Sequence, residues 1–289
     1  MPELPEVEVV RRGLDANLVG HRITAAHVLH PRAARNQPGG APEIETSLDG
    51  LTVTAARRRG KFCWLLLADT TPGSHRAPHT ELALLVHLGM SGQMLVKTPG
   101  AETSPHLRAY LELDDGKQIW FVDQRTFGYW WVGPVRDGVP ERVAHIAMDL
   151  LDQNLDVHAA ARLLKSRPTE IKRLLLNQEI VSGIGNIYAD EMLWEAGIHP
   201  MQNASRVSLN RLRGLLMSGI EVMNRALAEG GTSFDSLYIN VNGNSGYFSR
   251  SLQAYGRTGK PCLRCGTALR RIVIGGRSSH FCPRCQRRR

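Results

Sequence analysis

Apolar positions along this chain change period twice. Leu4, Val7, Val10 and Leu14 recur at spacings of three and four, which predicts an amphipathic helix over about residues 5 to 18. The next clear pattern is of strands: Leu51 to Ala55, Phe62 to Leu67, Leu82 to Leu88, Ala109 to Leu113, Gln118 to Val122 and Phe127 to Val132. Gly, Pro and Asp punctuation such as Asp114-Asp115-Gly116 separates them, and the set predicts a β-sandwich. Gly133, Pro134, Gly138 and Pro140 mark a linker. From about Asp149 the helical period returns. Leu163, Leu164, Ile171, Leu174 and Leu175 fall in short helices, and Leu209, Leu212, Leu216, Ile220, Met223 and Leu227 lie on a long one.

A length of 289 residues holds two ordinary domains with separate cores. No stretch approaches the ~20 apolar residues needed to span a bilayer, and the acidic start lacks the basic-then-apolar order of a secretory signal. A soluble, cytoplasmic, monomeric protein is expected. The formal net charge is +9, and its distribution is uneven. Residues 250 to 289 hold ten Arg and Lys260 with no Asp or Glu, which leaves 25 basic against 27 acidic side chains in the rest of the chain. Because that basic stretch also carries four cysteines with Gly, Phe and Ile, it reads as a folded module whose partner is nucleic acid.

Cys262-x2-Cys265 and Cys282-x2-Cys285, with sixteen residues between the pairs, form two knuckles whose thiolates can meet around one Zn²⁺. Two disulfides would need an oxidising compartment that nothing here suggests. Four thiolates leave no open position, so the zinc is structural. Leu269 to Ile274 and Ser278 to Phe281, joined through Gly275-Gly276, predict a hairpin between the knuckles, with Arg277 near its tip. Cys63, between Phe62 and Trp64, reads as a core residue, and the histidines show no metal-ligand spacing. Val181-Ser182-Gly183-Ile184-Gly185-Asn186 is a glycine-rich helix junction, which reverses the chain and also suits an anion.

The first residues admit two readings. Pro at a helix start followed by glutamates suits a capped first turn and the helix dipole. Removal of Met1 before the small Pro2 would instead leave a secondary amine of pKa near 8, a nucleophile at physiological pH, with Glu3 as an acid beside it.

Taken together, Pro2-Glu3-Leu4-Pro5-Glu6, Arg58-Arg59-Gly60-Lys61-Phe62, His87-Leu88-Gly89-Met90-Ser91-Gly92, Gly185-Asn186-Ile187-Tyr188-Ala189 and the terminal cysteine module resemble the formamidopyrimidine-DNA glycosylase family, from residue 2 to residue 285. The resemblance implies an α+β architecture: an N-terminal helix plus β-sandwich catalytic domain over 1–133, a linker over 134–149 and a helix-two-turn-helix domain over 150–230. A lesion-capping loop region over 231–250 and a zinc finger over 251–289 complete it, with damaged duplex DNA bound across the cleft between the halves. It implies that Pro2 attacks C1′ of a damaged nucleotide, with Glu3 as proton donor, Lys61 as donor for β-elimination and Arg277 for δ-elimination. Met90, Arg125 and Phe127 are implied to fill the hole left by the flipped nucleotide, and His106, Arg125, Arg167, Lys172, Asn186 and Arg277 to contact phosphates. In Asp123-Gln124-Arg125-Thr126-Phe127-Gly128, Gln124 and Thr126 depart from the family's usual Pro and basic residue, which bears on opposite-base preference. Thr232 to Tyr247 sits where the family places its lesion-capping loop and favours oxidised purines. The competing readings are an endonuclease VIII-like enzyme for oxidised pyrimidines and a non-catalytic zinc-ribbon protein that senses damage.

Overall fold

The computed structural model describes residues 2–70, 81–231, 241–242 and 248–288. The chain divides into two units, Met1–His145 with Gly230–Gly246, and Ile146–Glu229 with Tyr247–Arg289.

In the first unit, Pro5 in the opening turn and an apolar face of Leu4, Val7, Val10, Leu14 and Leu18 form helix α1, Leu4–Leu18. One sheet has five strands in the order β2-β3-β4-β8-β9: β2 Thr52–Arg59, β3 Phe62–Ala68, β4 Leu82–His87, β8 Tyr129–Arg136 and β9 Val139–Pro140. The other has four in the order β1-β6-β7-β5: β1 Ile23–Val28, β6 Leu107–Leu113, β7 Gln118–Asp123 and β5 Gly92–Lys97. All pairings are antiparallel. Val53, Leu65, Leu84 and Trp130 from one sheet share a core with Ile23, Met94, Leu111 and Phe121 from the other, closed by α1 and by Ile44 and Leu48 of helix α2, Gly40–Leu48. This is the sandwich that the strand pattern predicts. Cys63 is inside it, and burial pushes its thiol up to about 12, so it is an inert core residue.

Three elements escape the sequence pattern. The alanine-rich β1 has little intrinsic strand preference, β5 is hidden behind the glycines of the His87-to-Gly92 motif, and α2 opens on Gly40 with Pro42 in its first turn, residues that read as a loop. The linker expected from residue 134 also needs correction. Strand β8 continues through Gly133 to Arg136 and pairs with β9 across Asp137-Gly138, both at positive φ (51° and 75°). Asp-Gly is the signature of a type I′ hairpin, so these residues close a sheet edge, and the connection between units falls near His145. Val241, 2% exposed, lies in the sandwich core, and its carbonyl accepts from Val96 N at 3.0 Å. A Cβ at Gly13 would stand 2.3 Å from a Val241 methyl, which is why α1 carries glycine there. The rest of the stretch expected as a lesion-capping loop, residues 232–240 and 243–247, lies outside the described residues.

In the second unit, Asp156 caps helix α3, Val157–Lys165, by accepting from His158 N and Ala159 N, and Ser208 caps α6, Leu209–Ala228. Between them lie α4, Ile171–Leu175, and α5, Asn186–Glu195. Helix α5 is the axis of the unit, buried from Ile187 to Trp194 on all sides. Gly219 admits α6 against it, since a Cβ there would meet Met192 Cε and Leu150 Cδ1 at 2.7 Å. The final hairpin pairs β10, Arg270–Ile274, with β11, Arg277–Phe281, across Gly275-Gly276 at φ 56° and 76°, another type I′ turn. No helix among the described residues is long and apolar enough to cross a membrane.

Candidate active site

Pro2 and Glu3 are buried, Glu3 at 3% exposure, and Glu3 is the N-cap of α1. A capping box closes the helix start: Glu3 N donates to Glu6 Oε2 at 2.9 Å and the Glu3 carboxylate accepts from the Glu6 amide. The two readings of the terminus are therefore compatible, because the cap uses Glu3 and Glu6 and leaves the Pro2 nitrogen out of the helix ladder.

Lys61 occupies the two-residue turn between β2 and β3, where Gly60 at φ 57° supplies the left-handed backbone that the turn requires. It is 7% exposed. A polar chain connects this turn to α1. Glu8 accepts from Arg58 Nε at 3.0 Å, and Arg58 Nη1 donates to Gly60 O at 3.2 Å, one residue before Lys61. Burial pushes the Glu8 carboxyl up, but hydrogen bonds and charge from Arg11 and Arg58 overcome that and hold it below its usual value. Next to Lys61, the His87 ring sits between Phe62 and Tyr129, with centroids 4.9 and 5.3 Å away. Burial first, then the charges of Arg35 and Lys61, push His87 down to about 4, so a neutral imidazole lines this side of the turn.

The His87-to-Gly92 motif turns sharply because Gly89, at φ 62°, lies against the segment carrying Arg125 and Phe127. A Cβ there would stand 2.4 Å from Phe127 C and Gly128 N. Ser91 Oγ donates to the fully buried Asp123 at 2.5 Å and accepts from Arg125 N at 3.0 Å. Asp123 Oδ2 accepts from Gly128 N at 2.7 Å. One carboxylate thus gathers amides from both ends of the segment between residues 124 and 128. Phe127 stays 42% exposed with the Arg125 guanidinium 5.4 Å from its ring, and Met90 is half-buried. His106 is held beside β6 by Arg108, whose Nη2 reaches its Nδ1 at 3.3 Å and whose Nε donates to Asp123 O at 2.8 Å. Asp123 and Ser91 lie within the motifs that carry Arg125 and Met90, Arg108 lies in no motif, and the organising role of all three follows from contacts made in the fold.

The remaining expected residues lie in the second unit. Arg167 is exposed just beyond α3, and Arg277 is exposed at the start of β11, opposite Ile274. Asn186 is the first residue of α5, with its Oδ1 buried and without a hydrogen-bond partner. The glycine-rich junction before it is held by Gln178, which donates to Leu176 O and Ile184 O at 3.0 and 3.1 Å and accepts from Gly183 N at 2.9 Å. Lys172 does not fit its expected role. It is fully buried, and its Nζ donates to Asp190 Oδ1 at 2.6 Å and to Ser278 O at 2.8 Å. Asp190 also accepts from Ser279 Oγ, His280 N and His280 Nδ1, at 2.8 to 2.9 Å. Lys172 is therefore a structural cation fastening α4 and α5 to the β10–β11 hairpin, and no surface phosphate reaches it. Nothing in its sequence context separates a buried lysine from an exposed one, since its partners are 18 and 106 residues away. Lys172→Met is expected to cost about 3–5 kcal/mol by leaving Asp190 uncompensated. Thermal unfolding should show most of that loss recovered in Lys172→Met/Asp190→Asn, which removes the unpaired charge and keeps an acceptor for Ser279 and His280.

The four cysteine sulfurs all lie within 4.8 Å of one another. Tetrahedral Zn²⁺ with Zn–S bonds of about 2.3 Å spaces its sulfurs about 3.8 Å apart, and Cys265 and Cys282 are 3.5 Å apart. A soft all-thiolate donor set of this size fits zinc. Trp194 of α5 donates from Nε1 to Cys262 Sγ at 3.4 Å, and Arg264 stacks 4.1 Å over its ring. Glu191 accepts from the backbone amides of Gln253, Ala254 and Tyr255 at 2.8 to 2.9 Å, tying the approach to the knuckles onto the same helix.

Three family models tile the chain: the formamidopyrimidine-DNA glycosylase N-terminal domain over residues 1–130, its H2TH domain over 146–237, and a zinc finger found in these glycosylases and in isoleucyl-tRNA synthetases over 259–288. The chain belongs to the formamidopyrimidine-DNA glycosylase family. A relative of that name from Corynebacterium glutamicum (strain R) is 68% identical over the full length of both chains. Among solved structures, MutM in complex with DNA containing carbocyclic 8-oxoguanine matches with a TM-score of 0.83 and 31% identity, covering 99% of this chain and 100% of that one. The wild-type Lactococcus lactis Fpg bound to DNA containing an oxidised pyrimidine matches with a TM-score of 0.86 and 32% identity over the same shares. The family's two halves correspond to the sandwich unit and the helical unit, and its zinc finger contains all four clustered cysteines.

Proposed function

We propose that this protein excises oxidised purines, 8-oxoguanine and formamidopyrimidines, from duplex DNA and then cleaves the strand as an abasic-site lyase. The observation that carries the reading is the buried Pro2-Glu3 terminus, held at the head of α1 by a cap that leaves the proline nitrogen uncommitted. Once Met1 is removed, the Pro2 nitrogen attacks C1′ and the bond to the base breaks; the proline N–H proton then leaves, the C1′–O4′ bond opens with its electron pair on O4′, and an iminium remains. Glu3 supplies the proton for this step. The iminium acidifies C2′, so the 3′ phosphate and then the 5′ phosphate leave with modest acid–base help. Lys61 serves the β-elimination and Arg277 the δ-elimination.

Flipping the nucleotide costs a few kcal/mol, which side chains entering the stack offset. The exposed Phe127, with Arg125 over its ring and the half-buried Met90 adjoining the Ser91 anchor in sequence, suits that task. Arg125 would donate to an unpaired cytosine opposite the lesion. His106, Arg167, Asn186 and Arg277 serve as phosphate contacts. One structural Zn²⁺ per chain holds the basic hairpin, and the protein acts as a cytoplasmic monomer on damaged duplex DNA. The family model over 1–130 and the full-length relative support this assignment. Borohydride treatment with duplex carrying 8-oxoguanine opposite cytosine should trap a covalent adduct through Pro2. Excision of 8-oxoguanine should outpace that of thymine glycol by at least about tenfold, the discrimination a single pocket contact provides. The reverse ratio would assign the site to oxidised pyrimidines, and no adduct with either would leave a binding protein.

A further inference from the structure

The loop that carries Arg125 and Phe127 is bracketed by two opposite charges. Its amides converge on Asp123 from inside. Its carbonyls converge on Arg35 from outside: Arg35 Nη2 donates to Phe127 O at 2.6 Å, and Nη1 to Gly128 O at 2.6 Å and Thr126 O at 3.5 Å. Thr126 stands at φ 56°, a left-handed conformation that costs a threonine about 1 kcal/mol or more and persists only where its surroundings enforce it. The clamp itself is anchored. Arg35 follows a short 3₁₀ turn, Pro31–Ala34, whose Ala33 and Ala34 are buried in the sandwich core. Two residues on, the Gln37 amide donates to Val132 O at 3.1 Å and accepts from Val132 N at 2.8 Å, fixing the segment to β8. The guanidinium also lies 4.9 Å from the Tyr129 ring. A planar fork that donates to several carbonyls at once is a task lysine cannot take over.

We propose that Arg35 is a positioning residue for stack insertion: by holding the carbonyls of residues 126–128 it keeps Phe127 and Arg125 poised to enter the DNA stack when the damaged nucleotide leaves it. The inference rests on the insertion role given to Phe127 above. The full-length protein with Arg35→Ala should excise 8-oxoguanine opposite cytosine about 10- to 100-fold more slowly in single turnovers, the scale of a misplaced reacting group. Cleavage of a preformed abasic site, which has no base to expel, should change by less than about threefold. Arg35→Lys should fail to rescue excision, and the preference for cytosine over adenine opposite the lesion should narrow in both variants. The salt dependence of DNA binding should keep its slope, because the fork is occupied by carbonyls. A slope lowered by about one would instead make Arg35 a phosphate ligand and overturn the proposal. Equal loss on both substrates, full rescue by lysine, or unchanged excision would overturn it too. If Arg35→Ala unfolds, Arg35→Gln provides the same comparison. Wild-type protein that traps no adduct at all would refute the glycosylase reading, which keeps the two failures apart.

Discussion

A chain that keeps Met1, or carries one extra glycine ahead of Pro2, is expected to form no borohydride-stable adduct and to lose base excision by a factor on the order of 10³ or more, the scale seen when a covalent nucleophile is removed. The reason is local. As a chain terminus, proline is a secondary amine with a pKa near 8 and a usable lone pair at neutral pH. Acylated by any preceding residue, the same nitrogen becomes an amide whose lone pair is delocalised into the carbonyl. The extension should spare the fold, since the bond from Glu3 N to Glu6 Oε2 and the burial of Leu4 and Val7 do not use the proline nitrogen. Equal thermal unfolding with abolished trapping would therefore assign the defect to chemistry. An extended chain that excises 8-oxoguanine at the normal rate would exclude Pro2 as the nucleophile, and mass spectrometry of the trapped peptide would locate its replacement.

The second large effect concerns zinc. Chelation, or Cys282→Ser, should release the β10–β11 hairpin and weaken binding to damaged duplex by about 10²-fold or more at physiological salt, with a shallower salt slope. Binding of a structural Zn²⁺ is worth about 10–16 kcal/mol in zinc-finger peptides, as much as the whole stability of an ordinary domain. Among the described residues, the buried cluster beside the knuckles comprises Trp194, Ala254, Cys262, Leu269 and Cys282, with Cys265 and Cys285 packed against it, a core too small to replace that contribution. Release of the hairpin also disperses the basic residues clustered after position 250, and the salt slope falls by about one for every phosphate that is no longer neutralised. Sandwich stability should persist, because its core draws on residues between Val7 and Val132 together with Val241. Zinc-free protein that binds with unchanged affinity and slope would separate the module from DNA recognition.

The fastening of the hairpin makes these effects cooperative. Lys172 and Asp190 bond the hairpin backbone at Ser278 and His280, and Arg277 is the next residue along the strand. A cation expected on the surface is thus found below it, holding the element on which Arg277 stands. Removing zinc and breaking the Lys172–Asp190 pair should perturb the same hairpin, so their effects should not add.

Features whose cause is local were legible in the chain alone. The periodicity of Leu4 to Leu14 is a property of one helix, the two Cys-x2-Cys pairs impose their own knuckles, and Gly275-Gly276 suits a tight turn. The motifs around Pro2, Lys61, Met90 and Asn186 are informative only taken together, through the family they resemble, since alone each is a helix cap, a turn or a core run. Strand β5 starts on a glycine that carries no strand signal, and the β8–β9 hairpin has the Pro and Gly content that a linker also has. Burial and hydrogen-bond partners, by contrast, depend on which distant segments meet in the folded chain. Arg35 and the loop at residues 126–128 are more than ninety residues apart, and Lys172 is 106 residues from Ser278. Composition and spacing cannot report whether a cation faces water, a phosphate or a buried carboxylate, because the free energy of a charge is set by its surroundings and not by its neighbours in the chain.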